Sequence, residues 1–207
     1  MRATIEGMVE AGAVAIGEAG APGLPYGISI LRKKTGREIS LPEARRLKAA
    51  LFESADCFTL RPFDNVNIVK VLEETGLKKF LTAEEARDTA VEMVEHFHLS
   101  IKAAWEAAAT AKKLRIPLII HNSGENADEV LKLAEEFGSV MIAAHSSHLF
   151  SAREAVEQAR RLKTLGATID IYTGDSFTAR QLTPSLDAAF ALLEEKLVDV
   201  VSTDYIG

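Results

Sequence analysis

From Pro117 onward the chain repeats one unit: a short continuous apolar run, a polar link, then a segment with the period of an amphipathic helix. The runs are LIIH ending on His121, VMIAAH ending on His145, ATIDIY ending on Tyr172, and VDVVSTD, which reaches Asp204. The helices between them are Ala127 to Phe137 with Gly138 as its cap, Ser151 to Leu165 closed by Gly166, and one opened by Thr183-Pro184 that runs to about Leu197. Apolar runs without alternation belong to strands covered on both faces, and helical crossovers with short links make neighbouring strands parallel and right-handed. The pattern predicts an α/β fold with a parallel sheet.

The earlier half is less regular. Thr4 to Ala11 is weakly helical and ends at Gly12. Ala13 to Ile16, AVAI, reads as a buried strand closed by GEAG, with Glu18 at its carboxyl end and a Gly/Pro-rich loop, AGAPGLPYG, after it. A carboxylate between a buried strand and such a loop is poorly explained as a solvated surface charge. Ile28 to Arg37 is ambiguous. Ser40, Pro42 and Glu43 then give a helix start, and Cys57 to Leu60 is a strand or a stiff connector. Asn67 to Thr75 is a short helix stopped by Gly76. Thr82 opens a capping box, TAEE, and helical periodicity continues from Ala83 to about Leu114 with a break or bend expected near His98 to Ser100. His96 and His98 spell a ligand pair, but residues two apart on a helix face different ways, so a solvated or interface role is the expectation.

Bulk properties set the partners. With 207 residues, 47% of them hydrophobic, one good core is within reach. A net charge of −6 gives no general attraction to phosphate backbones, so no nucleic acid is predicted. Cys57 is the single cysteine, which fits a reducing, cytoplasmic setting. No basic region precedes a hydrophobic block, so neither a signal peptide nor a membrane span is expected.

In parallel α/β folds the loops at the carboxyl ends of the strands build the site. Glu18, His121, His145 and Asp204 all fall at that position. Two imidazoles and two carboxylates form a nitrogen and oxygen set suited to zinc or another divalent transition metal, which lowers the pKa of bound water to about 7. Each residue alone has a plainer explanation, since a strand-end His is more often a hydrogen-bonded structural residue and an Asp after Ser-Thr is a common N-cap. Four at equivalent positions favour a site.

GEAG after an apolar strand, IPLIIHNSGENADEVLKLAEE, the AAHSSH strand end and VSTDYIG resemble strands four, five, six and eight of the amidohydrolase superfamily of metal-dependent hydrolases, a (β/α)8 barrel group. The first two look most like its phosphotriesterase-related and TatD-type branches, in which a Glu stands on strand four. The resemblance implies a partial TIM-type (β/α)8 barrel over residues 1–207, strands four to eight, with a helical insert at about 28–114. It implies Glu18 as a bridging ligand, His121 and His145 as ligands, and Asp204 as ligand and general base for one or two divalent ions, zinc first. His148 would be an outer or substrate-contacting residue. Apart from the resemblance, Arg61 and Arg180 are candidates to hold an anionic group of a small-molecule substrate, although such arginines are more often simply surface charges. The family's His-X-His pair at strand one has no counterpart before Glu18. The chain is therefore expected to be the carboxyl-terminal part of a barrel, oligomeric or joined to a complementing segment. The implied reaction is hydrolysis of an amide, cyclic amide, ester or phosphoester bond. The alternatives are an inactive barrel fragment serving as a binding or assembly module, and a metal-free enzyme using His121 and His145 as acid and base.

Overall fold

The structure is a computed structural model that describes residues 2–19, 24–53, 59–172 and 186–202. In chain order the helices are α1 (Arg2–Glu10), α2 (Leu24–Thr35), α3 (Leu41–Leu51), α4 (Asn65–Glu74), α5 (Ala83–Leu114), α6 (Ala127–Phe137), α7 (Ala152–Thr164) and α8 (Asp187–Glu194). The strands are β1 (Ile16–Ala19), β2 (Leu118–Ser123), β3 (Met141–His148), β4 (Thr168–Tyr172) and β5 (Val200–Ser202). Two compact units divide the chain: Met1–Gly20 with Ser100–Gly207, and Ala21–Leu99. None of the described helices is long and apolar enough to cross a membrane.

In the first unit the five strands lie in sequence order, every pair parallel, and the sheet curls into a half-barrel. Strand alternation explains the core. Leu118 and Ile120, Met141 and Ala143, and Ile169 and Ile171 turn one way, into a cluster with Ala108 and Ala111 of α5, Val130 and Leu131 of α6, Ala159 and Leu162 of α7, and Leu192 of α8. Each fully buried Leu or Ile contributes about 1.5–3 kcal/mol. Ile119, His121, Ala144, Thr168, Asp170 and Tyr172 alternate with these residues and so belong to the opposite face. Asp199 ties the last turn to the sheet, taking hydrogen bonds from the Ile169 amide at 2.9 Å and Lys163 Nζ at 2.6 Å. Burial alone would raise its pKa, but these two donors hold it below the usual aspartate value.

The second unit packs α2, α3, α4, a 3₁₀ turn at Leu77–Lys79 and the start of α5. Capping boxes set two of its helix starts, Ser40 with Glu43 and Thr82 with Glu85, and Asp64 caps α4. Gly76, at φ +69°, takes the left-handed turn after α4 that a side chain would resist.

Several boundaries differ from those the sequence predicts. Residues 13–16 are not the first strand: the Ala13 amide still bonds to Met8 O, Val14 is 80% exposed, and the chain joins the sheet only where the Ile16 amide reaches Pro117 O. The predicted loop to Gly27 is shorter, because α2 begins at Leu24 with Pro25 in its first turn, where a missing N–H costs nothing. No break occurs near His98 to Ser100. Neither Pro nor Gly interrupts α5, which runs unbroken for 32 residues, although Ser100 begins its share of the first unit. The region 100–114 of the predicted insert thus belongs with the sheet. Cys57 and the helix start at Thr183-Pro184 lie outside the described residues.

Candidate functional site

β2 and β3 end together, and an irregularity in their pairing makes the site. His121 stands opposite Ala144 and Ser123 opposite His148, so two residues of β2 are matched by four of β3. The extra length is a bulge at residues 145–147, and bulges re-aim side chains. His145 takes φ +60°, a left-handed conformation that His adopts more readily than most residues but still at a cost. Its ring lies 5.0 Å from that of His121 and meets Tyr172 edge-on at 4.9 Å. The His148 ring is 5.6 Å from His121, roughly perpendicular to it. The three histidines, from two adjacent strand ends, are thus gathered around His121.

A polar network lies beneath them. Asn122, fully buried, donates from Nδ2 to Ser146 Oγ at 3.1 Å, and Ser146 Oγ donates to Ala143 O at 2.8 Å. Gln158 Nε2 of α7 donates to Ala127 O at 2.9 Å and, at 3.4 Å, to Asn122 Oδ1. Asn126 closes the loop after β2: its Oδ1 accepts from the Ser123 amide and its Nδ2 donates to His121 O at 2.7 Å. Asp170, 3% exposed between Ile169 and Ile171, accepts a hydrogen bond from Ser202 Oγ of β5 at 3.0 Å.

The spacings of 5.0 and 5.6 Å put the His121 ring in contact with those of both His145 and His148. Among the described residues no three His, Cys, Asp or Glu side chains form a group arranged to hold a metal ion. Glu18 is placed in β1, one strand from His121, but its side chain is outside what the structure describes, as are Asp204 and Arg180 altogether. Arg61 lies in the helical unit, donating to Phe52 O at 2.6 Å and Glu53 O at 2.9 Å across an isolated antiparallel bridge. His96 and His98 are exposed on α5, on either side of buried Phe97.

Sequence reasoning missed Asn122, Ser146, Asp170 and Tyr172. Asp170 carried a readable signal, a carboxylate alternating with isoleucines inside a predicted buried strand. Asn122 and Ser146 carried none, because their partners are 24 residues apart or sit on another helix. The carboxylates whose pKa is displaced below the usual range include the cap residues Glu43, Glu85 and Glu154, where the shift accompanies helix capping. Comparison of the chain with protein-family models, curated proteins and solved structures finds no match to any of them.

Proposed function

We propose that this chain is a metal-dependent hydrolase of the amidohydrolase kind, built on part of a TIM-type (β/α)8 barrel, acting on an amide, cyclic amide, ester or phosphoester bond of a small molecule. One observation carries the reading: His121 and His145, on adjacent parallel strands, bring their imidazoles together with ring centroids 5.0 Å apart. In this reading His121 and His145 offer ring nitrogens, and Glu18 and Asp204 add carboxylates. A bound divalent ion, zinc first, supplies Lewis acidity and neutral-pH water activation. The Asp204 carboxylate takes a proton from the attacking water and returns it to the leaving group. His148 contacts the substrate or steadies His121. The single Cys57 fits a cytoplasmic location.

The test is metal content. Protein purified without chelators is expected to hold near-stoichiometric zinc, manganese or iron, and His121→Ala and His145→Ala to lower affinity at least about 100-fold while leaving the fold intact. Absence of bound metal in the parent protein sinks the reading. A second reading, an assembly module without activity, is favoured by the exposed Val200 and Val201 of the edge strand β5, with Phe190 and Leu193 of α8 exposed as well. It predicts a metal-free protein whose association is abolished by Val201→Lys in sedimentation measurements.

A further inference from the structure

His145 occupies a left-handed backbone that costs a non-glycine residue about 1–2 kcal/mol, and something must hold it there. The bond from Ser146 Oγ to Ala143 O spans Ala144 and His145 and closes the turn around the strained residue. Asn122, next to His121 in sequence, donates to that same hydroxyl, and Gln158 anchors Asn122 to α7. All three side chains are buried, at 0–6% exposure, so the bonds compete little with water. This chain of bonds links the backbone of one histidine to the strand end that carries the other.

We propose that Asn122 and Ser146 are positioning residues: together they clamp His145 in its left-handed conformation so that its imidazole faces His121. The purpose of the clamp rests on the proposed metal site, but its existence is tested without metal. Denaturant unfolding of the metal-free full chain is compared for the parent, Ser146→Ala, His145→Gly and the double variant. Glycine takes φ +60° without strain, so it leaves the clamp nothing to hold. Ser146→Ala is expected to lower the folded-to-unfolded ratio about tenfold in the parent but about threefold or less in the His145→Gly background. Losses within twofold of each other in the two backgrounds overturn the clamp. If Ser146→Ala alone does not fold, recovery of folding in the double variant supports the proposal and continued failure overturns it.

Cobalt(II) titration followed by visible absorption then separates the two ideas. A parent that binds cobalt and a Ser146→Ala variant that binds about 10–100-fold more weakly support a positioning role. Equal binding by both overturns that role. A parent that does not bind cobalt sinks the metal reading and leaves the clamp to be judged by the unfolding cycle.

Discussion

The two units bury polar groups in different ways. In the helical unit Thr35, Thr75 and Thr89 each donate to the carbonyl four residues back, at Leu31, Val71 and Glu85, as Thr110 does to Glu106 in the sheet unit's part of α5, so each hydroxyl has a local acceptor, and Thr89 also accepts from Lys34. In the sheet unit Asn122, Ser146, Gln158 and Asp170 find partners on other elements, 24 to 36 residues away in the four bonds that join them. A helix supplies local acceptors at no topological cost. Long-range bonds between strands require the whole fold to be in place, and the one from Asn122 to Ser146 joins the residues next to His121 and His145 in sequence. Buried polarity therefore separates scaffold from site in this molecule better than burial alone does.

The largest expected effect sets Asn122→Ala against Thr89→Val. The first strands buried partners on two elements and is expected to cost about 2–3 kcal/mol by denaturant unfolding. The second loses an intrahelical bond and one from Lys34 and should cost under about 1 kcal/mol. Equal costs would erase the distinction between the units.

Two glycines sharpen it next. A Cβ on Gly124 would lie 2.3 Å from the Leu149 carbonyl oxygen, against backbone that cannot yield without parting the β2 and β3 ends. Gly124→Ala is expected to cost about 1–3 kcal/mol and to weaken cobalt binding. A Cβ on Gly27 would meet Met93 Cε at 2.6 Å, the tip of a flexible side chain, and alanine gains about 1 kcal/mol of helix propensity. Gly27→Ala should stay within about 1 kcal/mol of the parent and leave cobalt binding unchanged.

A third comparison is confined to the bulge. His145→Gly is expected to be about 1 kcal/mol more stable than His145→Ala in thermal or denaturant unfolding, since both lose the ring and only alanine keeps the strain. Equal stability would mean that the left-handed backbone is not strained.

The smallest effect is one the units share. Hydrogen bonds from the Ser151 side chain and amide hold Glu154 below the usual glutamate value of 4.5, while Glu43 is pushed up by burial yet held lower by Arg37 and Ser40. A carboxyl whose folded pKa is lowered binds fewer protons folded than unfolded. Its stabilisation is complete above about pH 4.5 and is lost as pH falls through the lowered folded value. Glu43→Gln and Glu154→Gln should each flatten the acid limb of the stability curve. The effect is about 0.5 kcal/mol after solvent screening and is smaller at the more exposed Glu154.

Much of the scaffold was legible because its causes are local. Gly166 ends α7 at φ +89°, and the TAEE segment forms a capping box as its spacing requires. The apolar runs of strand length put His121 and His145 on strands, but not at their ends: β2 continues to Ser123 and β3 to His148. The first strand was misplaced by three residues because AVAI and IGEA are both short, and pairing with β2, a long-range matter, decides between them. The long helix α5 was expected to break or bend near His98 to Ser100; it runs unbroken there, where one unit's residues give way to the other's.

The sequence by itself determined the α/β class, the parallel pairing and which apolar runs become the later strands, since periodicity, caps and connection length are properties of neighbouring residues. Only the tertiary structure decided that β3 carries a two-residue bulge, that His145 is left-handed, and that the His121 ring contacts both His145 and His148. These features depend on register and on hydrogen bonds between residues far apart in the chain. Their energies exist only after the strands have paired.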